Sequence, residues 1–384
     1  ELTDRRASGS MKWDSEGDAP DVIQLWVADM DFRTAPAVTE ALRRRVDTGI
    51  FGYTHVPDSY YEALDRWFTT RHGWSIDRRM VIYTSGVVPA ISAIIKAIVA
   101  PGEGVILQTP AYNCFFSSVR NNKALRLDNP LIRTDLPAGF TYTIDFEGLE
   151  QLVSRPEARM LILCNPHNPT GRVWSRDELE RVRDICRSHD VRVVSDEIHC
   201  ELVHPDATAY IPYATIDDRA IICCSPSKAF NTAGLQIANI VCPDEETRRR
   251  VDRAINDNEV CDVNPFGVTA LQAAYNDGSD WLDALNEYLY GNYRLLRETF
   301  AALLSPLPVC DSESTYLAWI DIRSTGMTAD EVARLLLERA RVRVSSGSSY
   351  GDDHCIRINY ATQRERLRLA LYRIAGALEE VLKE

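Results

Sequence analysis

The stretch Ala220-Ile-Ile-Cys-Cys-Ser-Pro-Ser-Lys228 decides the reading of this chain. Its first five residues form a short apolar run, and Ser-Pro-Ser and a lysine follow at once. A short apolar run bounded by turn residues reads as a strand buried on both faces. A lysine just past the end of such a strand is poorly placed for a structural role. It is well placed for chemistry, because burial lowers the pKa of an amine and frees its lone pair. A carboxylate occupies the same kind of position earlier: Val191-Arg-Val-Val-Ser195 runs into Asp196-Glu-Ile-His199. Open α/β sheets bind ligands at the carboxyl ends of their strands. The pair therefore points to a lysine that forms an imine and an acid that supports a cofactor ring nitrogen.

Further apolar runs lie at Met80–Tyr83, Gly104–Gln108, Arg159–Cys164 and Ile237–Cys242. Helix-length segments separate most of them: Val87–Ala100, Tyr112–Asn121 and Ser175–His189, the last opened by a Ser175/Glu178 capping box. Near-continuous apolar strands alternating with helices predict an α/β fold, a mostly parallel central sheet covered on both faces. Before it, Pro36–Thr48 reads as a helix closed by Gly49. After it come a long helix at Trp281–Leu304, strands at Tyr316–Asp321, Val342–Ser345 and Cys355–Asn359, and helices at Ala329–Ala340 and Gln363–Lys383. These predict a smaller α+β lobe. The expected division is a large domain at 37–270 and a small domain of 1–36 plus 271–384.

Composition narrows the function. Fifty-six acidic against 43 basic residues give a net charge of -13. That opposes nucleic acid and anionic membrane as partners, since both need a basic face. The most apolar helical stretch, Val87–Ala100, is too short for a bilayer and carries Lys96. The ten cysteines are scattered, with no C-x-x-C pair, and read as small buried hydrophobes in a reducing cytosol. Glu1-Leu-Thr-Asp-Arg-Arg6 shows no apolar signal segment, so a cytoplasmic location is expected.

Other residues extend the site. Gly86-Val87-Val88 follows a strand and opens an apolar helix, offering backbone N–H groups to an anion. Ser225 and Ser227 add hydroxyl donors for a phosphate. Asn165-Pro-His-Asn168-Pro-Thr-Gly171 is a rigid turn after a strand, where the Asn168 amide can donate to a ring oxygen. Tyr112, after Thr109-Pro-Ala, can stack on a flat ring or pack in the core. Arg357, in Ile356-Arg-Ile-Asn359, is an arginine among apolar residues, and its fork fits a substrate carboxylate. His199 can face the cofactor; the alternative, a metal ligand with His204 or Glu197, lacks an H-E-x-x-H or Cys/His cluster, and no metal is expected. Asp196 alone could cap a helix; beside Lys228 it reads as the acid that keeps a pyridine nitrogen protonated, the protein's main electronic lever on pyridoxal phosphate. Ser225-x-x-Lys228 also matches the S-x-x-K of serine β-lactamases. The S-D-N and K-T-G partners of that motif are missing, and a strand rather than a helix start precedes the serine. Gly102-Glu-Gly104 lacks the third glycine of a dinucleotide fingerprint.

Asn168-Pro-Thr-Gly171, Asp196-x-x-His199, Ser225-Pro-Ser-Lys228 and Arg357-Ile-Asn359 stand in the order seen in the fold-type I pyridoxal-phosphate enzymes. The chain thus resembles the aspartate aminotransferase superfamily over nearly its whole length. Trp26-Val-Ala-Asp-Met-Asp-Phe32, Phe51-Gly-Tyr53 and Ser195-Asp-Glu-Ile-His199 resemble its cystathionine β-lyase (C–S lyase) branch, MalY/PatB. The resemblance implies that Lys228 is the Schiff-base lysine and Asp196 the pyridine-nitrogen partner. It implies that Asn168 donates to the ring hydroxyl, Tyr112 stacks on the ring, and Arg357 clamps the α-carboxylate. Gly86, Val87, Ser225 and Ser227 correspond to the phosphate cradle. Tyr53 corresponds to a tyrosine that reaches the phosphate of the partner subunit, which implies a homodimer with shared active sites. Two positions depart from the aminotransferases, Gln236 for a phosphate-binding arginine and His199 for a tyrosine, and both match the lyase branch. Asn113 would tune the substrate.

The expected activity is α,β-elimination from cystathionine or another cysteine S-conjugate, giving thiol, pyruvate and ammonia. The near alternative is an aminotransferase on the same scaffold. A non-catalytic binding protein would have no need of lysine, acid and clamp together.

Overall fold

The computed structural model describes residues 3–14, 19–257, 259 and 262–383. Seven strands form the central sheet. From edge to edge they are Val81–Thr84, Ala238–Val241, Ile221–Cys224, Arg192–Asp196, Ala158–Cys164, Gly104–Thr109 and Leu125–Pro130. Ala238–Val241 runs antiparallel to both neighbours, and the other pairings are parallel. The expected mostly parallel α/β sheet is therefore present.

The apolar runs are explained by two separate cores. Val105, Leu107, Met160, Ile162, Val194, Ile221 and Cys223 face a layer that contains the helix Val87–Ile98. Their chain neighbours Ile106, Leu161, Leu163, Val193, Ile222 and Cys224 face the opposite core with Trp67, Phe68 and Phe230. Side chains alternate faces along a strand, so a sheet covered on both sides needs apolar residues at every position.

A second, antiparallel sheet has the order Leu317–Asp321, Cys355–Asn359, Ser345–Ser346. The helices Ser279–Leu303 and Arg364–Lys383 pack against one another. A short parallel pair, Ile23–Gln24 with Val342–Arg343, leads the chain into the segment Trp26–Phe32.

Several boundaries and elements differ from the sequence expectation. Tyr112 stands outside its helix as the residue before Asn113–Asn121. The helix from Ala329 is regular only to Leu335 and widens over Leu336–Ala340. The stretch 342–345 is two short strands separated at Val344. Leu125–Pro130 joins the central sheet although it carries no apolar run. As an edge strand it exposes alternate residues, so its run is polar. The hairpin Ile132–Leu136/Gly139–Thr143 and the helices Asp58–His72, Phe146–Val153, Glu245–Asn256 and Pro265–Asp277 are likewise additions.

Candidate active site

Parallel register brings the chemistry to the carboxyl ends of the middle strands of the central sheet. Cys164 pairs with Asp196, and Asp196 pairs with Cys223. Asn168, Asp196 and Lys228 thus leave three adjacent strands at their carboxyl ends. They line one cavity of about 180 Å³ with Gly86, Val87, Val88, Tyr112, His199, Ser227 and Ala28.

Lys228 Nζ donates to the carbonyl of Ala28 at 2.6 Å. Burial, then the nearby Arg357 charge, lowers its pKa from 10.5 to about 8. About a tenth of the amine is therefore unprotonated at pH 7, far more than for an ordinary lysine, as a nucleophile or base requires. Asp196 is 4% exposed. One of its oxygens accepts the Ile198 N–H at 3.1 Å, and no protein donor among the described residues reaches the other. Burial, reinforced by the neighbouring Glu197 charge, pushes Asp196 up to about 7. Such a carboxyl ionises readily once a cation faces its free oxygen.

Arg357 enters from the small sheet and is 3% exposed. It hydrogen bonds Asn168 Oδ1 at 3.2 Å and the Trp26 carbonyl at 3.1 Å, and lies over the Tyr350 ring. Its Nε has no partner, and no carboxylate pairs with it among the described residues. A buried guanidinium without an anion is a costly arrangement that a substrate carboxylate would relieve. His199 is equally buried, its Nδ1 unpartnered, and burial lowers its pKa to about 3. It is a neutral imidazole at ordinary pH. Tyr112 is half-buried, and burial followed by the Cys114 thiol raises its phenol pKa.

The chemistry of this donor set fits pyridoxal phosphate. The helix Val87–Ile98 has no side-chain cap, so its N-terminal N–H groups are open to a phosphate beside Ser227. The half-satisfied carboxyl of Asp196 fits a pyridinium, and Tyr112 offers a ring face. Asn168 spends Oδ1 on Arg357, leaving its Nδ2 for the cavity. Ser225 Oγ lies 2.5 Å from the Ile237 carbonyl and 2.9 Å from the Oγ of the cavity residue Ser227, and it accepts the Ser227 N–H. Tyr53 is not brought to this site within its own chain; it is 99% exposed.

The family model described as aminotransferase class I and II matches residues 20–374. The chain belongs to this family. It is 37% identical to the cystathionine beta-lyase PatB of Bacillus subtilis (strain 168), over 98% of both chains. Cystalysin of Treponema denticola, solved with a pyridoxal 5'-phosphate cofactor, superposes with a TM-score of 0.94 at 31% identity, covering 99% of this chain and 98% of that one. The PLP-bound C–S lyase of Staphylococcus hominis gives a TM-score of 0.90 at 32% identity, covering 99% and 98%. As a member of the class I and II aminotransferases, the protein has the aspartate aminotransferase-like fold and uses pyridoxal phosphate as its cofactor.

The metal alternative at His199 finds no geometry here. His204 Nε2 bonds Tyr360 Oη at 3.0 Å, and the Glu197 carboxylate is taken by Ser195, Asn165, Tyr210 and the Tyr213 N–H. His72, Cys200 and Glu201 do converge, but Glu201 is already ion-paired with Arg71 and bonded to Trp67.

Sequence reasoning missed Tyr316 and the Ala28 carbonyl. Tyr316 Oη donates to Ala28 O at 2.9 Å, and its ring lies edge-on to His199. A buried tyrosine beside a strand reads as core, and a backbone carbonyl leaves no residue signature.

Proposed function

We propose that this enzyme is a carbon–sulfur β-lyase acting on L-cystathionine or a related cysteine S-conjugate. The observation that carries the reading is a cavity lined by a low-pKa lysine and a half-satisfied carboxyl, beside a buried arginine that bonds the cavity residue Asn168 and has no carboxylate partner among the described residues. The relatives named as cystathionine β-lyase and C–S lyase favour elimination over amino-group transfer.

Pyridoxal phosphate, when bound, supplies an aldehyde for the amino group and a ring that accepts electrons from Cα. Lys228 would hold the aldehyde carbon, Asp196 the ring nitrogen with its proton, Asn168 the ring oxygen, and Ser227 with the N–H groups after Gly86 the phosphate. Arg357 grips the substrate carboxylate and so fixes Cα against Lys228. The Lys228 amine takes the Cα proton as general base. Asp196 keeps the ring nitrogen charged while Cα loses its proton, and the Cβ–S bond breaks with the electron pair leaving on sulfur. His199 walls the cavity, and the buried Tyr316 packs edge-on against it. Hydrolysis of the released enamine gives pyruvate and ammonia beside the thiol.

The working unit in this reading is a cytoplasmic homodimer, each chain divided into domains 37–270 and 1–36 plus 271–384. The support is the exposed apolar segment that includes Val46, Ile50, Phe51 and Tyr53. Such an exposed apolar patch commonly marks a protein interface, and Tyr53 would complete the partner's phosphate site. Mixing inactive Lys228→Ala and Tyr53→Asp dimers should restore activity, because an exchanged heterodimer holds one site with neither defect. Exchange confirmed by mass without regained activity would return Tyr53 to its own chain.

The main test is a product assay across a panel of cysteine S-conjugates. Thiol, pyruvate and ammonia in equal amounts are expected. Keto acid retaining the substrate's sulfur side chain would make the enzyme an aminotransferase.

A further inference from the structure

The segment Trp26–Phe32 passes the cavity, which Ala28 lines, and its carbonyls are divided between two jobs. Trp26 O accepts Arg357 Nη2 at 3.1 Å, and Ala28 O accepts Lys228 Nζ at 2.6 Å. The alternate carbonyls, Val27 O and Asp29 O, both accept from one group, Asn359 Nδ2, at 2.6 Å each. Both amide hydrogens of Asn359 are thereby used, and its Oδ1 accepts the Ala361 N–H at 2.7 Å. Further along, Asn231 bonds Met30 N–H, Met30 O and Phe32 O at 2.8–3.0 Å. Asn231 lies three residues after Lys228, and Asn359 two residues after Arg357. The strap is thus tied to the loop of the lysine and to the strand of the arginine.

This arrangement has a chemical consequence. A carbonyl binds an amine through its hydrogens, so a free Lys228 at Ala28 O is held with its remaining valences turned elsewhere. We infer that the strap is a spacer for the reaction: Trp26 O and Ala28 O hold Arg357 and the free Lys228 amine at a fixed separation, and Asn359 and Asn231 are the positioning residues that set it. The separation matters because the arginine fixes the carboxylate of an α-amino acid while the lysine must reach the hydrogen on the adjoining Cα. Misplacement of reacting groups by about 1 Å costs as much as a hundredfold in rate. The ligand class this spacing selects is the α-amino acid, whatever the leaving group on Cβ. The inference rests on the roles of Lys228 and Arg357 proposed above.

The test uses Asn359→Ala and Asn231→Gly in the full-length holoenzyme. Asn231 has a φ of 54°, a backbone setting that glycine adopts freely, so this second variant removes the three hydrogen bonds without backbone strain. For Asn359→Ala, kcat should fall roughly tenfold to a hundredfold and KM for the amino acid should rise with it, while cofactor absorbance stays at one per chain. Asn231→Gly should move both constants in the same direction by less. A second readout is independent of turnover: reductive methylation of Lys228 in the cofactor-stripped full chain, followed against pH by mass spectrometry. Loss of the Ala28 acceptor removes a stabiliser of the ammonium, so the midpoint should move about one unit lower. Unchanged kcat, KM and labelling midpoint would overturn the spacer, and so would a change in KM alone. Should Asn359→Ala not fold, Asn231→Gly decides by the same criteria. Lys228→Ala in the same series separates the two levels: full activity there would sink the proposed function, whereas a dead Lys228→Ala beside unaffected asparagine variants would sink only the spacer.

Discussion

Asp196 and Glu201 lie five residues apart, both buried, and their surroundings are opposite. Glu201 is satisfied: Arg71, His72 and Trp67 all bond it, and its pKa falls below the ordinary 4.5 despite burial, chiefly through His72 and Arg71. Asp196 has one backbone donor and is pushed up to about 7. Arg71 pairs with two carboxylates, Glu201 and Asp283, whereas Arg357 has none among the described residues. The protein therefore builds one charge cluster that closes on itself and another that is left waiting for external partners. Buried groups left half-satisfied mark the cavity as functional; burial and charge alone do not.

The sharpest way to break this comparison is at Lys228. Lys228→Ala should abolish turnover and the covalent cofactor adduct that borohydride fixes in the wild type. An adduct peptide mapping to any other lysine would move the site. Asp196→Asn should retain cofactor yet lose about two to three powers of ten in kcat, about 3–4 kcal/mol in the barrier, because an amide cannot hold a charged pyridinium. Near wild-type turnover would reduce Asp196 to a structural carboxyl.

Glu201→Gln should show the reverse profile. It removes one of the two carboxylate partners of Arg71 and should lower stability by about 2 kcal/mol in denaturant unfolding, with activity per folded molecule retained. Arg357→Lys is expected to raise KM for amino-acid substrates roughly tenfold, about 1.4 kcal/mol, since a point charge cannot make the bidentate grip. An unchanged KM would place the carboxylate elsewhere.

The smallest effect is the most diagnostic. The two carboxyls should give opposite pH slopes in the cofactor-free chain. Glu201 is depressed, so its stabilisation is present above its unfolded value near 4.5 and fades as pH falls through its folded one. Asp196 is raised, so the folded chain keeps a proton that the unfolded chain loses, and its contribution declines as pH rises from 3.8 to about 7. Thermal unfolding of Asp196→Asn and Glu201→Gln against the parent, from acid to neutral pH, should show differences that grow with pH in both cases and carry opposite signs. Equal signs would mean that the two sites are electrostatically alike.

Much of the fold could be read in advance where both faces of a strand are buried. The runs at Gly104, Arg159, Val191 and Ala220 had to be apolar throughout, and they are the strands that carry the site. The edge strand Leu125–Pro130 could not be read this way, because a strand with one wet face and one free edge has a polar run. Asp196, Lys228, Asn168 and Arg357 were legible because each is a polar residue at the end of, or within, an apolar segment. Tyr316 could not be told from core.

The family, the alternation of strands and helices along the chain, and the side chains able to do the chemistry follow from residue type and period alone. The tertiary structure alone decided that Arg357 lacks an internal anion, that Lys228 rests on Ala28 O, and that one asparagine holds two carbonyls of the same strap. Those facts depend on distances between segments more than a hundred residues apart, and on how many hydrogen bonds each buried group still has to offer.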